Sequence, residues 1–173
     1  MAVAYIIGGG PSLKGFDFSR LQGRETFGVN LSAEVAGAKY LVSIDRNFCF
    51  NFGALIDSFG DRAHIAPVDA GLTANFPKAH IYSRKKSGEL FTSEPDQIAG
   101  LCSGFAAFSL AARMGFKRIA LLGIDGNDAG NWHKGYNWGG SPQKVVDAWV
   151  RQFDESWIEC FEKGLEVINY SEN

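Results

Sequence analysis

The chain is 173 residues long, 46% hydrophobic and 21% charged, with a formal net charge of −2. That composition fits one soluble globular domain, residues 1–173, able to bury a sizeable core, and it supplies no basic field for a nucleic-acid backbone. No apolar run approaches the roughly 18 to 20 residues that cross a bilayer, and the basic stretch "SRKKSG" (83–88) reads as a solvated loop.

In chain order, "VAYIIG" (3–8) reads as a buried strand and runs into the glycine turn "GGGPS" (8–12). Next come "ETFGVN" (25–30) and "KYLVSID" (39–45), both strands ending on polar residues. The shorter runs "AHIAPV" (63–68) and "AHIYS" (79–83) suit strands nearer an edge. Residues 84–102 are polar with little periodicity and read as a flexible lid. "SGFAAFSLAARMG" (103–115) is small and apolar all round, a helix expected to lie against the sheet.

"RIALLGID" (118–125) is the strongest strand signal. It feeds "DGNDAGNWHKGYNWGGS" (125–141), a loop of glycines, asparagines and aromatics of the kind that binds ligands. The stretch 141–164 carries Val145, Val146, Trp149, Val150, Phe153, Trp157 and Phe161 at helical spacing, so this stripe reads as a core face. Ser141 could cap this helix, Pro142 suits its first turn and Gly164 its C′ position. "LEVINY" (165–170) closes the strand list. Strands alternating with helices predict an α/β fold, a doubly wound Rossmann-like domain with a mostly parallel sheet of about six or seven strands.

Cys49, Cys102 and Cys160 are odd in number and widely spaced, with no CxxC, so neither a disulfide framework nor a zinc site is expected. No signal-peptide pattern precedes the first strand, and the expected compartment is the reducing cytoplasm.

Ligands of open α/β sheets bind beyond the carboxyl ends of the strands. The polar residues falling there are Gly8, Gly9, Gly10, Pro11, Ser12, Asn30, Asp45 and Asp125. Ser103 and Gly104 join them at a helix start, where free N–H groups favour an anion. Together they predict a nucleotide site. The motif is not a dinucleotide fingerprint, because Leu13 replaces the third glycine and Asn30 the ribose-binding acid. The turn also lacks the Lys-Ser or Lys-Thr pair of a Walker loop. Three adjacent glycines mean a tight turn or an approach too close for a Cβ; the expectation is that a phosphate or ribose makes that approach, with Ser12 as a donor.

Trp132 and Tyr136 could cover a base or sugar. His133, in the same loop, can accept a proton near neutral pH, whereas His64 and His80 open strands and read as structural. Asp45, Asp125 and Asp128 admit a Mg²⁺ reading, held against a diphosphate.

"IIGGGPSLKGFDFSRL", "FGVN" and "CSGFAAFSLAARMGFKRIALLGID" resemble, in the same order, motifs of the family 42 sialyltransferases of bacteria and of the related DUF115, or 6-hydroxymethylpterin diphosphokinase MptE-like, proteins. The resemblance covers residues 4–45 and 102–138. "WHKGY" (132–136) is similar to a segment of small phage-encoded proteins described as "norphogenetic"; for such relatives the cytoplasm is that of an infected bacterium. Gly9 stands where the family's turn usually has asparagine, and Asp45 where the sialyltransferase pattern would fit a neutral amide.

The resemblance implies that Gly8 to Ser12, Asn30, Ser103, Gly104 and Asp125 surround a nucleotide of CMP or CDP type, and that a loop histidine deprotonates an acceptor. The function expected is a nucleotide-sugar-dependent, glycosyltransferase-like transferase with His133 and Asp125 catalytic. A Mg²⁺-dependent diphosphotransferase and a non-catalytic nucleotide-sequestering phage accessory protein are the alternatives. The partner expected is a small-molecule nucleotide, with neither membrane nor nucleic acid.

Overall fold

A computed structural model describes residues 2–67, 74–85, 90–92, 94–127, 130–135 and 142–171. The seven expected apolar runs all form strands of one parallel sheet: β1 (Val3–Ile7), β2 (Glu25–Val29), β3 (Tyr40–Ser43), β4 (Ala63–Ile65), β5 (His80–Ile81), β8 (Arg118–Leu122) and β9 (Glu166–Asn169). Their order is β5-β4-β3-β2-β1-β8-β9, with every neighbouring pair parallel. The chain winds outward from β1 to β5, then returns to lay β8 on the other side of β1. This is the doubly wound α/β architecture, and its switch point falls between β1 and β8.

Parallel sheets need cover on both faces, and alternation along each strand divides the residues accordingly. Ala4, Ile6, Phe27, Val42, Ile119 and Leu121 face one core layer. It is covered by α4 (Ser103–Arg113) and α5 (Gln143–Glu162). Glycine, alanine and serine along α4 leave ten consecutive residues buried, so the helix can lie close to the strands. Ile7, Leu41, Ala63, Ile65 and Leu122 face the second layer. Short helices α1 (Ser32–Val35), α2 (Arg46–Asn51) and α3 (Gly53–Phe59), with 3₁₀ turns at Pro11–Leu13 and Phe18–Leu21, cover it. None of these short pieces carries a long enough period to show in the sequence.

Two expectations are corrected. The stretch 84–102 is not a lid in its described part: β6 (Ser83–Lys85) and β7 (Gln97–Ala99) pair as a second parallel sheet. Leu90, Ile98 and Ala99 are fully or almost fully buried there. Glu159 of α5 accepts hydrogen bonds from the N–H groups of Leu90 (2.6 Å) and Phe91 (3.0 Å), and Ser109 Oγ donates to Leu90 O at 2.6 Å. Neither SRK nor QIA is a continuous apolar run, so nothing in the sequence marks these two strands.

The aromatic stripe of α5 is also rotated from its expected place. The buried side is Val146, Gln152, Ser156 and Cys160, with Phe153 packed beside them. Trp157 and Phe161 are 65% and 74% exposed, and Val150 is exposed too. Small and polar residues won the core side because Gln152 Oε1 accepts from the Leu101 N–H at 2.7 Å and Glu159 holds Leu90 and Phe91. Gly164, at φ 63°, takes the left-handed C′ position as expected, while the Ser141 cap lies outside the described residues.

One half of the second face stays open. Arg118, Ile168 and Tyr170 are exposed beside Val3 and Tyr5, with no helix over this part of β1, β8 and β9 among the described residues. No helix in the described residues is long and apolar enough to cross a membrane.

Candidate active site

The glycine turn continues the β1–β8 ladder past the strand ends. Gly8 N–H donates to Leu122 O and Gly10 N–H to Gly123 O, both at 2.8 Å. Pro11 then starts the 3₁₀ turn with no cap from a side chain. Ser12 reaches back across the switch point: its N–H donates to Asp125 Oδ2 at 2.9 Å and its hydroxyl to Asp125 Oδ1 at 2.5 Å.

This packing explains the three glycines. A Cβ on Gly8 would run into the Gly123 carbonyl, one on Gly9 into the Asn131 side chain, and one on Gly10 into the Asp125 carboxylate. The close approach that excludes side chains is made by the protein's own loop after β8.

That loop is fastened over the turn. Trp132 N–H donates to Gly9 O (2.9 Å), and its indole Nε1–H donates to Gly8 O (3.0 Å). The Trp132 ring lies against Phe18, centroids 4.7 Å apart, within the second core layer. Its neighbour His133 meets the indole edge-on and sits over the start of α1, where Nε2 is 3.1 Å from Ser32 Oγ. His133 Nδ1 is buried and has no partner among the described residues. Burial lowers the imidazole pKa below its usual value, so the ring is neutral at pH 7.

Asn30, at the end of β2, adopts φ 52°. Asparagine tolerates this left-handed conformation better than most residues. Its backbone is satisfied, with N–H donating to Val42 O at 3.1 Å and O accepting from Ala33 N–H at 3.1 Å. Its side-chain Oδ1 is also buried without a partner among the described residues.

Ser103 and Gly104 open α4, although the capping residue is Cys102, whose Sγ accepts from Phe105 N–H at 3.4 Å. Burial pushes the Cys102 thiol up to about 11, so it is no thiolate nucleophile at neutral pH. Ser103 Oγ accepts from Ile44 N–H at 3.1 Å, which ties α4 to the end of β3 and leaves the hydroxyl proton to donate.

The two carboxylates expected to share a metal are not brought together. Asp45 caps α2, accepting from the N–H groups of Asn47 (2.8 Å) and Phe48 (3.3 Å). Asp125 is held by Ser12. Their strands, β3 and β8, are three places apart in the sheet, about 14 Å at ordinary strand spacing. Asp128 and Tyr136 lie outside the described residues. No group of three or more potential metal-ligating side chains occurs among the described residues.

The turn, Asn30, Ser103–Gly104 and His133 thus all lie at the carboxyl edge of the sheet. Two contributors were not singled out from sequence. Asn131 belongs to a loop already marked by its composition, but nothing local in "NLSAEV" distinguishes Ser32, which acts across 101 residues.

No family model matches the sequence, and no curated protein matches it either. Solved structures do share the architecture. The chain is similar to the sialyltransferase CstII from Campylobacter jejuni, determined in complex with the substrate analogue CMP-3FNeuAc. The TM-score is 0.55 at 18% identity, covering 100% of this chain and 82% of that one. It is similar too to the MAf glycosyltransferase from Magnetospirillum magneticum AMB-1, with a TM-score of 0.54 and 16% identity over 79% of this chain. The chain spans 24% of the length of that protein. Its sheet and winding are those of an α/β, Rossmann-like fold shared with both structures.

Proposed function

We propose that the chain is a glycosyltransferase that uses a nucleotide-sugar donor of CMP or CDP type, with His133 as the general base. The observation that carries this reading is His133 Nδ1: a neutral, buried ring nitrogen without a partner, at the carboxyl edge where this fold takes ligands. The likeness to a sialyltransferase fold holding a CMP-sugar analogue supports the donor class.

The nucleotide would lie along the ends of β1 to β3. Asn30 Oδ1 would accept from it, and the Ser103 hydroxyl at the start of α4, with its proton uncommitted, would donate to its phosphate. In the reaction, the acceptor hydroxyl gives its proton to His133 as its oxygen bonds to the anomeric carbon. The bond from that carbon to the phosphate oxygen breaks, and its electron pair leaves with the nucleotide. Asp125, bound to Ser12 through both oxygens, holds the turn in shape rather than moving protons.

The test is His133→Ala, with CMP affinity measured by calorimetry and CMP-sugar hydrolysis or transfer measured beside it. Affinity should stay within a few-fold while turnover falls by roughly 10²-fold or more. Normal turnover in the variant sinks the base assignment. Binding that needs Mg²⁺ and vanishes with chelator would favour a diphosphotransferase, and a wild type that binds CMP yet turns over no donor would favour a sequestering protein.

A further inference from the structure

Ser32 connects His133 to the glycine turn, and the geometry decides which ring nitrogen carries the proton. Its Oγ lies 2.9 Å from the Gly8 carbonyl oxygen and 3.1 Å from His133 Nε2. The residue is fully buried, so water does not compete. A carbonyl only accepts, and two oxygens at 2.9 Å require a proton between them; the Ser32 hydroxyl supplies it. With that proton committed, Ser32 Oγ offers only lone pairs to Nε2. The second contact is then a hydrogen bond only when Nε2 carries the ring proton. A neutral imidazole has one such proton, which leaves Nδ1 bare, and Nδ1 is the ring atom without a partner.

We infer that Ser32 is a positioning residue: through the chain Nε2–H to Oγ–H to Gly8 O it holds His133 in the Nε2–H tautomer and makes Nδ1 the proton-accepting atom. This rests on the reading of His133 as the base. When the acceptor hydroxyl gives up its proton, Nδ1 gains it and the ring becomes imidazolium, with Nε2–H still on Ser32. The orienting chain ends on a backbone carbonyl instead of a carboxylate. It fixes the ring without the rise in proton affinity that a negative partner brings. The carbonyl belongs to Gly8, so a shift of the glycine turn reaches the ring through a single side chain.

Long-range ¹H–¹⁵N correlation spectra of ¹⁵N-histidine-labelled protein at pH 8 read the tautomer directly, with His133 identified by its loss in His133→Gln. The wild type should show a protonated Nε2 and an unprotonated Nδ1. Ser32→Ala should turn this into a mixture and lower kcat for CMP-sugar hydrolysis by roughly 10-fold or more, with KM within a few-fold; Ser32→Thr should restore both readouts. A wild-type ring protonated on Nδ1 overturns the inference, and that spectrum needs no variant to fold. An unchanged tautomer in Ser32→Ala overturns it as well. If the wild type shows the expected tautomer but turns over no CMP-sugar, the base reading and the role of Nδ1 fall, while the hold of Ser32 on the ring stands.

Discussion

The two flanks of the glycine turn are built differently. On the β8 side the polar groups are paired within the protein: Gly10 with Gly123, Ser12 with Asp125, and Asn131 seated against Gly9. On the β2 side Asn30 Oδ1 and His133 Nδ1 are buried without partners among the described residues. Buried polar atoms are nearly always satisfied, and the exceptions point to function or to an absent ligand. The difference teaches that the most conspicuous motif in the sequence serves largely to join two strands, whereas the unmet hydrogen-bonding capacity gathers on the other flank.

Gly8→Ala should break the β8 side most severely. Its Cβ would meet the Gly123 carbonyl, a backbone atom that cannot step aside, so a loss of about 3 kcal/mol or more is expected in a denaturant titration. Gly9→Ala meets only the exposed end of Asn131 and should cost less, about 1 kcal/mol. Equal losses would mean that the turn is not stitched as described.

Acid should weaken the whole fold through His64 before it reports on the base. Burial, chiefly, and then the stacked His80 hold His64 at about 4 in the folded state, below the unfolded imidazole near 6.5. The unfolded chain therefore takes the proton first. The contribution of His64 is complete above about pH 6.5 and is lost as pH falls toward 4, by up to about 3 kcal/mol. Urea melts of wild type and His64→Gln between pH 7 and 4 check this: the wild type should lose more stability than the variant over the interval.

Asp125→Asn sharpens the contrast between flanks. The amide keeps one acceptor for Ser12 and loses the other, which should lower stability by about 1 kcal/mol and leave CMP affinity within a few-fold, with or without chelator. Abolished binding only in the presence of Mg²⁺ would return Asp125 to a metal role.

The smallest effect is in the pH profile of kcat/KM. Because burial lowers the His133 pKa, its acid limb should lie below 6.5, and activity should hold above that value and fall beneath it. A limb above 6.5 would show that a negative group stabilises the imidazolium and outweighs the burial that lowers the pKa.

All seven strands of the main sheet were legible as short apolar runs; the central ones read so because they are buried on both faces, while β5 and β9 lie largely exposed at the edges. The helices α4 and α5 were legible through length. By contrast, β6 (SRK) and β7 (QIA) are not continuous apolar runs, and the helices α1 to α3 have seven residues or fewer, where periodicity needs more turns than that. The residues of the candidate site were mostly named from sequence because they sit at strand ends or in a loop of unusual composition.

What the sequence determined by itself is the α/β class, the carboxyl-edge location of the polar residues and the presence of a base-competent histidine after the strongest strand. Only the tertiary structure decided their partners. Asp125 meets Ser12 across 113 residues and His133 meets Ser32 across 101. Such pairings follow from the order in which strands assemble and from which atoms burial leaves without water. No local pattern records either.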